Sequence, residues 1–264
     1  MDQKKQVQAQ FGANAAAYAT STVHAKGASL GRLLALVRPL PHWHALDIAT
    51  GAGHTAFTFA PHVAHVVAAD ITAEMLQQTR QLAAEKALPN VTVCTADAEE
   101  LPFASASFDL VTCRIAPHHF VEIGRFLSES VRVLRPGGVL AIVDNVVPGS
   151  RLRGKKANLL RAAGEYVNAF EKLRDPSHNR CLSLEEWSEA FAAVGCPLQH
   201  QETAQKGMEF DWWASRMQTT PATTTRLRAM LVQAPEPVLA FLTPQYSGDR
   251  ITFHLTEAIL IGRK

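Results

Sequence analysis

The alternation of apolar runs with polar, turn-forming segments predicts strands that are joined by helices. Short apolar runs occur at 45–48, 64–69, 91–95, 108–113 and 139–143. The segments at 72–86 and 120–134 place apolar residues at helical spacing, and the second ends at Arg-Pro-Gly-Gly, a strong stop signal. Strands that alternate with helices form parallel sheets with right-handed crossovers. This part of the chain therefore predicts an α/β fold.

The first strand runs directly into a glycine loop, with the sequence Ala-Leu-Asp-Ile-Ala-Thr-Gly-Ala-Gly over 45–53. Gly51 and Gly53 lack a Cβ, so the backbone can turn tightly there and approach a ligand. The helix that follows is expected to point N–H groups at that ligand. Asp47 lies near the strand end and can hold a cationic group. With Ala56, the loop also satisfies the dinucleotide fingerprint G-x-G-x-x-G/A, so it does not by itself identify the cofactor.

Charged residues follow every predicted strand of this region. They are Asp47, Asp70, Asp97, Arg114 and Asp144. Because the carboxyl ends of parallel strands meet at one edge of a sheet, we expect these side chains to line one ligand site. Asp70 is close to the roughly 20-residue spacing at which a carboxylate binds a ribose diol.

We expect a single domain, whose core comprises residues at about 40–148, 181–207 and 248–264. The remaining segments are expected to be additions to this core. Residues 1–39 predict a helical cover, in which Tyr18 and His24 are candidate substrate contacts. Inserts at about 149–180 and 208–247 predict lids over the active-site edge. The second insert is interrupted by four prolines and carries a threonine group at 219–225, which disfavours one long helix there. Phe170, Trp212 and Trp213 are candidates for an apolar substrate wall.

Composition narrows the class of protein. The 264 residues are 47% hydrophobic and 19% charged, without an apolar run near the roughly 18 residues of a membrane span. Residues 1–10 lack the apolar region of a secretory signal. Four dispersed cysteines predict neither a zinc site nor a disulfide framework, and favour a cytoplasmic location. A net charge of +2 predicts no nucleic-acid partner, and the basic cluster at 151–156 is expected to be a solvated linker. The oligomeric state stays open.

The ordered set of motifs resembles the class I S-adenosylmethionine-dependent methyltransferases. The similarity runs from Leu46 to Asp144 and includes the loop, Asp-Ile-Thr-Ala-Glu-Met-Leu at 70–76, Asp97-Ala98 with Leu-Pro-Phe, and Arg-Val-Leu-Arg-Pro-Gly-Gly-Val-Leu. The set is most similar to the small-molecule branch that includes the ubiquinone and menaquinone C-methyltransferases. Ala49 stands where the family loop commonly has its first glycine. The resemblance implies a Rossmann-like fold, a mostly parallel seven-stranded sheet with helical lid inserts, and a last strand that is antiparallel at the sheet edge.

The resemblance also implies S-adenosylmethionine as cofactor and a role for each matching residue. The methionine part would be held by Asp47, Thr50, Gly51 and Gly53, with Arg114 also at the cofactor. Asp70 would bind the ribose hydroxyls. Ile71 and Met75 would flank the adenine, and Asp97 with the Ala98 backbone would bind its amino edge.

The expected function is methyl transfer to a small, largely apolar acceptor by in-line displacement. Candidate catalytic residues are His118, His119 and Arg114 at the end of the fourth strand, and His118 is favoured as the base that takes the acceptor's proton. Ile-Ala-Pro-His at 115–118 replaces the Asn/Asp-Pro-Pro-aromatic segment of enzymes that methylate nucleic-acid amino groups, which argues against DNA.

Two other functions stay open. A nicotinamide-dependent oxidoreductase would use the same glycine loop, but the helical leader of about 45 residues and the lack of an evident Tyr-x-x-x-Lys pair disfavour it. A non-catalytic module that binds the cofactor is the second.

Overall fold

A computed structural model gives the fold of residues 3–19 and 27–264, with side chains described at 3–15 and 27–264. The helices are α1 (Gln3–Ala19), α2 (Ala28–Val37), α3 (His54–Phe59), α4 (Ala73–Glu85), α5 (Ile123–Val133), α6 (Lys155–Arg174), α7 (Leu184–Ala193), α8 (Phe210–Ser215), α9 (Pro221–Val232) and α10 (Glu236–Leu242). The strands are β1 (His44–Ile48), β2 (His65–Asp70), β3 (Val91–Thr95), β4 (Phe108–Arg114), β5 (Leu134–Val146), β6 (Leu198–Glu209), β7 (Gln245–Ser247) and β8 (Arg250–Arg263). Single 3-10 turns occupy Ala60–His62 and Pro117–His119. In this part of the chain, no helix combines the length and hydropathy needed to cross a membrane.

The strands form one sheet in the order β3-β2-β1-β4-β5-β8-β6, and the short β7 pairs with β8. The pairs β1·β2, β1·β4, β2·β3 and β4·β5 are parallel. The predicted mostly parallel sheet of the Rossmann-like fold is thus confirmed. The prediction that the last strand lies at the edge is wrong, because β8 lies between β5 and β6. Its buried, unbroken apolar run at 258–261 is typical of an interior strand.

The first of two compact units comprises residues 1–144, 190–202 and 259–264. One apolar cluster in this unit joins α2 and α3 to strands of the sheet, through residues such as Leu33, Phe59 and Leu110. The register of β1 against β4 sets Asp47 opposite Thr112. The register of β4 against β5 sets Arg114 opposite Val143, so the residues that follow these two strands lie at the same edge of the sheet.

The second unit comprises residues 145–189 and 203–258 and has its own apolar core. Phe170 and Trp213 stack in this core with ring centroids 4.8 Å apart. The prediction that 208–247 does not form one long helix is confirmed, because three short helices occupy most of that segment. Thr220 caps α9 by accepting a hydrogen bond from the backbone of Thr223, and Pro221 begins the helix. Threonine and proline therefore start a helix here.

A capping box stabilises the start of α7. The Glu186 carboxylate accepts a hydrogen bond from the Ser183 backbone N–H at 2.8 Å, and the Ser183 hydroxyl accepts one from the Glu186 N–H at 3.3 Å. Within the first insert, α6 covers Lys155–Arg174.

Candidate cofactor site

The loop after β1 has three residues in the left-handed backbone region. Ala49 has φ 51°, Gly51 φ 55° and Gly53 φ 87°. A Cβ on Gly53 would lie 2.5 Å from the Phe57 ring, whereas a Cβ on Gly51 would meet nothing within 4 Å. Gly53 is therefore required for packing against α3, and Gly51 leaves an open approach for a ligand.

The N–H groups of both glycines are used inside the protein. Gly51 N–H donates to the Asp70 carboxylate at 2.9 Å, and Gly53 N–H donates to the Thr50 carbonyl at 2.9 Å. Both N–H groups therefore stabilise the loop itself. Among the N–H groups of the helix that follows, that of Ala56 donates to the Asp47 carboxylate. That this helix points N–H groups at a ligand stays a prediction.

Asp47 is buried beneath the loop and is held by two hydroxyl groups. Thr50 Oγ1 donates to one carboxylate oxygen at 2.6 Å, and Thr112 Oγ1 donates to the other at 2.7 Å. Burial raises the pKa of Asp47 to about 6, although these hydroxyls and the charge of Arg114 act in the opposite direction. The sequence analysis missed Thr112, although a polar residue within a buried apolar strand was a usable signal.

The carboxyl edge of the sheet carries a concentrated negative charge. The buried thiol of Cys113 shows this, because burial and the charges of Asp47, Asp144 and Asp70 raise its pKa well above the usual value. Burial also raises the pKa of Asp70 against the opposing effect of its hydrogen bonds from Thr72 and Gly51. A site with three buried acids attracts a cation and repels a phosphate.

A small, open cleft lies beside the loop, and Ala49 of the loop is among its lining residues. Three residues predicted to surround adenine, Ile71, Asp97 and Ala98, line it together. The other lining residues are Lys4, Val7, Ala49, Ala96, Glu99, His119, Phe120 and Val121. The predicted Met75 is buried and is not among these lining residues.

Helix α1 contributes a cation to this cleft that sequence analysis missed. Lys4 Nζ lies 2.5 Å from Asp97 Oδ2 and 2.9 Å from Glu99 Oε2. The other oxygen of Glu99 accepts hydrogen bonds from the backbone of Val121 and Glu122. Lys4 is 93 residues from Asp97, so no local pattern signals this pair.

The two predicted catalytic histidines lie side by side, with ring centroids 4.2 Å apart. His119 lines the cleft, and its ring makes an edge contact with Phe11 of α1. His118 Nδ1 lies 2.6 Å from a carboxylate oxygen of Asp144. Arg114 Nε donates to the Thr55 hydroxyl at 3.2 Å, which places this side chain at the start of α3.

The candidate substrate contacts have different placements. Phe170 and Trp213 are buried in the core of the second unit, whereas Trp212 is 43% exposed. Arg174 lies over the Trp213 ring at 4.5 Å from its centroid. The side chain of Tyr18 and all of His24 fall outside the described residues. A substrate role for these five residues stays a prediction.

Comparisons with known proteins agree with the chemistry of the cleft. A family profile described as "Methyltransferase domain" matches residues 46–142. The uncharacterised methyltransferase YcgJ of Bacillus subtilis is 32% identical over 96% of this chain and 97% of its own. Its crystal structure superposes with a TM-score of 0.82 over 89% of this chain and 97% of that chain.

Another curated relative matches a shorter part of the chain. The ubiquinone/menaquinone biosynthesis C-methyltransferase UbiE of Brucella anthropi is 42% identical over 102 residues, which are 37% of this chain and 39% of that protein. The similarity to YcgJ extends over nearly the whole chain, second unit included.

Proposed function

The chain belongs to the class I S-adenosylmethionine-dependent methyltransferases, and on that premise we propose that it methylates a small, largely apolar acceptor. The observation that carries the proposal is the similarity to UbiE, named as a ubiquinone/menaquinone biosynthesis C-methyltransferase. The cleft also offers no excess positive charge to neutralise a nucleic-acid backbone, because its Lys4 is paired with two carboxylates.

The residues of the site fit S-adenosylmethionine. Gly51 presents open space for the methionine part, and the buried charge of Asp47 favours its ammonium group. The proposed contact of the ribose is Asp70, and the proposed contacts of the adenine are Ile71, Asp97 and Ala98, which line the cleft together. When bound, the cofactor supplies an electrophilic methyl group on a positively charged sulfur.

Further residues complete the proposed cofactor contacts. Thr50 fixes the Asp47 carboxylate, Gly53 fixes the loop, and Arg114 lies beside them. Met75, which is buried on α4, is proposed to flank the adenine together with Ile71.

We also propose that the inserts at 149–180 and 208–247 act as a lid on the acceptor. Each insert follows the carboxyl end of a strand, β5 and β6, the end at which α/β sheets bind ligands. Protease cleavage within 149–180 should slow when S-adenosylhomocysteine is bound. An unchanged cleavage rate at saturating ligand would contradict a lid.

The acceptor proposal is tested by a methyl-transfer assay. Purified protein is incubated with S-adenosylmethionine and matched acceptor sets, namely small phenols, quinols, amines and thiols, and short DNA and RNA. Formation of S-adenosylhomocysteine is measured against a reaction without acceptor. Turnover with an apolar small molecule and none with nucleic acid is expected. Turnover with nucleic acid alone would overturn the proposal.

The proposed location is the cytoplasm. All four cysteines lie in the described part of the chain, and none forms a disulfide there.

A further inference from the structure

A histidine and an aspartate form a buried pair at the carboxyl ends of β4 and β5. His118 Nδ1 lies 2.6 Å from Asp144 Oδ1, with His118 8% exposed and Asp144 fully buried. The parallel register brings them together, because Arg114 pairs with Val143 and each chain then continues toward the same edge. A distance this short is typical of a charge-assisted hydrogen bond.

This hydrogen bond determines which ring nitrogen of His118 holds the proton. The Asp144 carboxylate accepts from Nδ1–H, so the lone pair of the neutral imidazole lies on Nε2. The second oxygen of Asp144 is buried and accepts no hydrogen bond from the described residues. The charge of this carboxylate is therefore poorly solvated, which favours a positive charge on the adjacent imidazole.

The pair lies next to the cofactor cleft through His119. The two histidine rings are in contact, and His119 lines the cleft with Asp97 and Ile71. Titratable groups in contact with His118 include Asp144 from β5 and His119 from the adjoining turn, and the Cys113 thiol of β4 lies in the field of Asp144, Asp47 and Asp70. The buried Cys113 thiol is poorly ionised, so the imidazole is the better base of the two.

We propose that Asp144 is a positioning residue that holds His118 as the base for the acceptor's proton, and that the acceptor bears a proton on the atom that becomes methylated. The inference rests on the proposed function and specifies its substrate class as a hydroxyl or a carbon acid. The acceptor atom forms the new bond to the methyl carbon, the methyl–sulfur bond breaks with its electron pair going to sulfur, and the proton passes to His118 Nε2. The imidazolium then releases that proton to water, while Asp144 keeps its hydrogen bond to Nδ1–H.

The test is ¹⁵N NMR of the histidine rings in protein saturated with S-adenosylhomocysteine, which requires no acceptor. The chain has 11 histidines, so the His118 signals are assigned by their loss in His118→Gln. At a pH above the midpoint of the His118 titration, the wild type is expected to show protonated Nδ1 and unprotonated Nε2. In Asp144→Asn, the midpoint of the His118 titration should fall by about one pH unit or more.

A second histidine–carboxylate pair provides the matched control. His200 Nε2 lies 3.0 Å from Glu202 at a more exposed position, so Glu202→Gln should change the His200 signals and leave those of His118 in place. Binding of S-adenosylhomocysteine by Asp144→Asn, measured by calorimetry, verifies that the variant is folded. A wild-type His118 with its proton on Nε2 would overturn the proposal, and so would an unchanged His118 titration in folded Asp144→Asn.

Turnover gives an independent readout once the panel yields an acceptor. Asp144→Asn should lower kcat by about 10²-fold or more with KM within about threefold, and the loss should diminish for acceptors that are already ionised. Equal losses for ionised and protonated acceptors would contradict the positioning role. If no acceptor in the panel is methylated, that result would count against the proposed function. The NMR experiment needs no acceptor, so it tests the His118–Asp144 pair independently of the proposed function.

Discussion

The Asp70 carboxylate accepts a hydrogen bond from the backbone N–H of Gly51 at 2.9 Å, so the acid that ends β2 holds the loop that follows β1. Its other oxygen accepts from the Thr72 N–H at 2.8 Å, which anchors the start of α4. The hydroxyl of Thr79 in α4 donates to the Gly51 carbonyl at 2.7 Å. One residue thus connects the glycine loop, the second strand and the next helix at the place proposed for the ribose.

Asp70→Asn should weaken binding of S-adenosylhomocysteine about 10- to 100-fold, because it removes a charged acceptor from the ribose hydroxyls. Calorimetric titration measures the affinity, and urea unfolding shows whether the fold is retained. Asp109→Asn is the control, since Asp109 is paired with Arg135 near the opposite end of β4. Wild-type affinity in folded Asp70→Asn would remove Asp70 from the cofactor site.

Alanine substitutions should separate the roles of the two loop glycines. Gly53→Ala should lower the free energy of unfolding by about 1–3 kcal/mol, because its Cβ would collide with Phe57 in a left-handed backbone. Gly51→Ala should lower it by only about 1–2 kcal/mol, yet should reduce affinity for S-adenosylhomocysteine by at least about tenfold.

Gly137→Ala supplies the control for backbone strain. Gly137 has φ 78° with open space at its Cβ position, near the start of β5. The Gly137→Ala variant should lose about as much stability as Gly51→Ala does, but it should keep wild-type affinity for S-adenosylhomocysteine. Equal affinities for Gly51→Ala and Gly137→Ala would contradict a close approach of the ligand at Gly51.

Asp47 should make stability decrease as pH rises between about 4 and 6. Its pKa is about 6 in the folded protein and about 3.9 in the unfolded chain, so the folded state binds the extra proton in this window. Across the window, the free energy of unfolding should fall by about 3 kcal/mol relative to Asp47→Asn. Urea unfolding of both proteins from pH 4 to 7 provides the comparison. Parallel pH profiles would show that the carboxyl of Asp47 is ionised as easily as in the unfolded chain.

Lys4→Met should tighten binding of S-adenosylhomocysteine by a few-fold. Lys4 contacts the Asp97 oxygen that the adenine amino group is proposed to use, and a partly exposed ion pair contributes about 0–1 kcal/mol. Lys5→Met, at an exposed position on the same helix, should have no effect. Weaker binding by Lys4→Met would mean that Lys4 supports the cofactor and does not compete with it.

The sequence predicted those parts of the site that depend on strand ends. Asp47, Asp70 and Asp97 follow apolar strands, and parallel pairing alone brings such positions to one edge. The contribution of Lys4 was not predictable, because it depends on how a separate helix packs across a long sequence distance. The partner of His118 was also missed, although both residues had been placed at strand ends, since the register of β4 against β5 determines their contact.

The start of α9 in the second unit was not predicted from the sequence, because it depends on where threonine and proline lie within the helix. Thr220 and Pro221 resemble loop residues in composition, but the hydroxyl of Thr220 caps a helix and Pro221 suits its first turn. Threonine and proline disfavour a helix when they lie in its interior, but they favour it when they lie at its N-terminus. Their presence alone therefore does not show whether a segment is a loop or the first turn of a helix.

The central claim is that one edge of the sheet binds S-adenosylmethionine through Asp47, the glycine loop, Asp70 and Asp97. A crystal structure of the protein with S-adenosylhomocysteine tests it most directly. The account predicts the ribose hydroxyls within hydrogen-bond distance of Asp70, the adenine amino group at Asp97, and the methionine part over Gly51. Adenosine density away from Ile71, Asp97 and Ala98, or ribose without contact to Asp70, would contradict it.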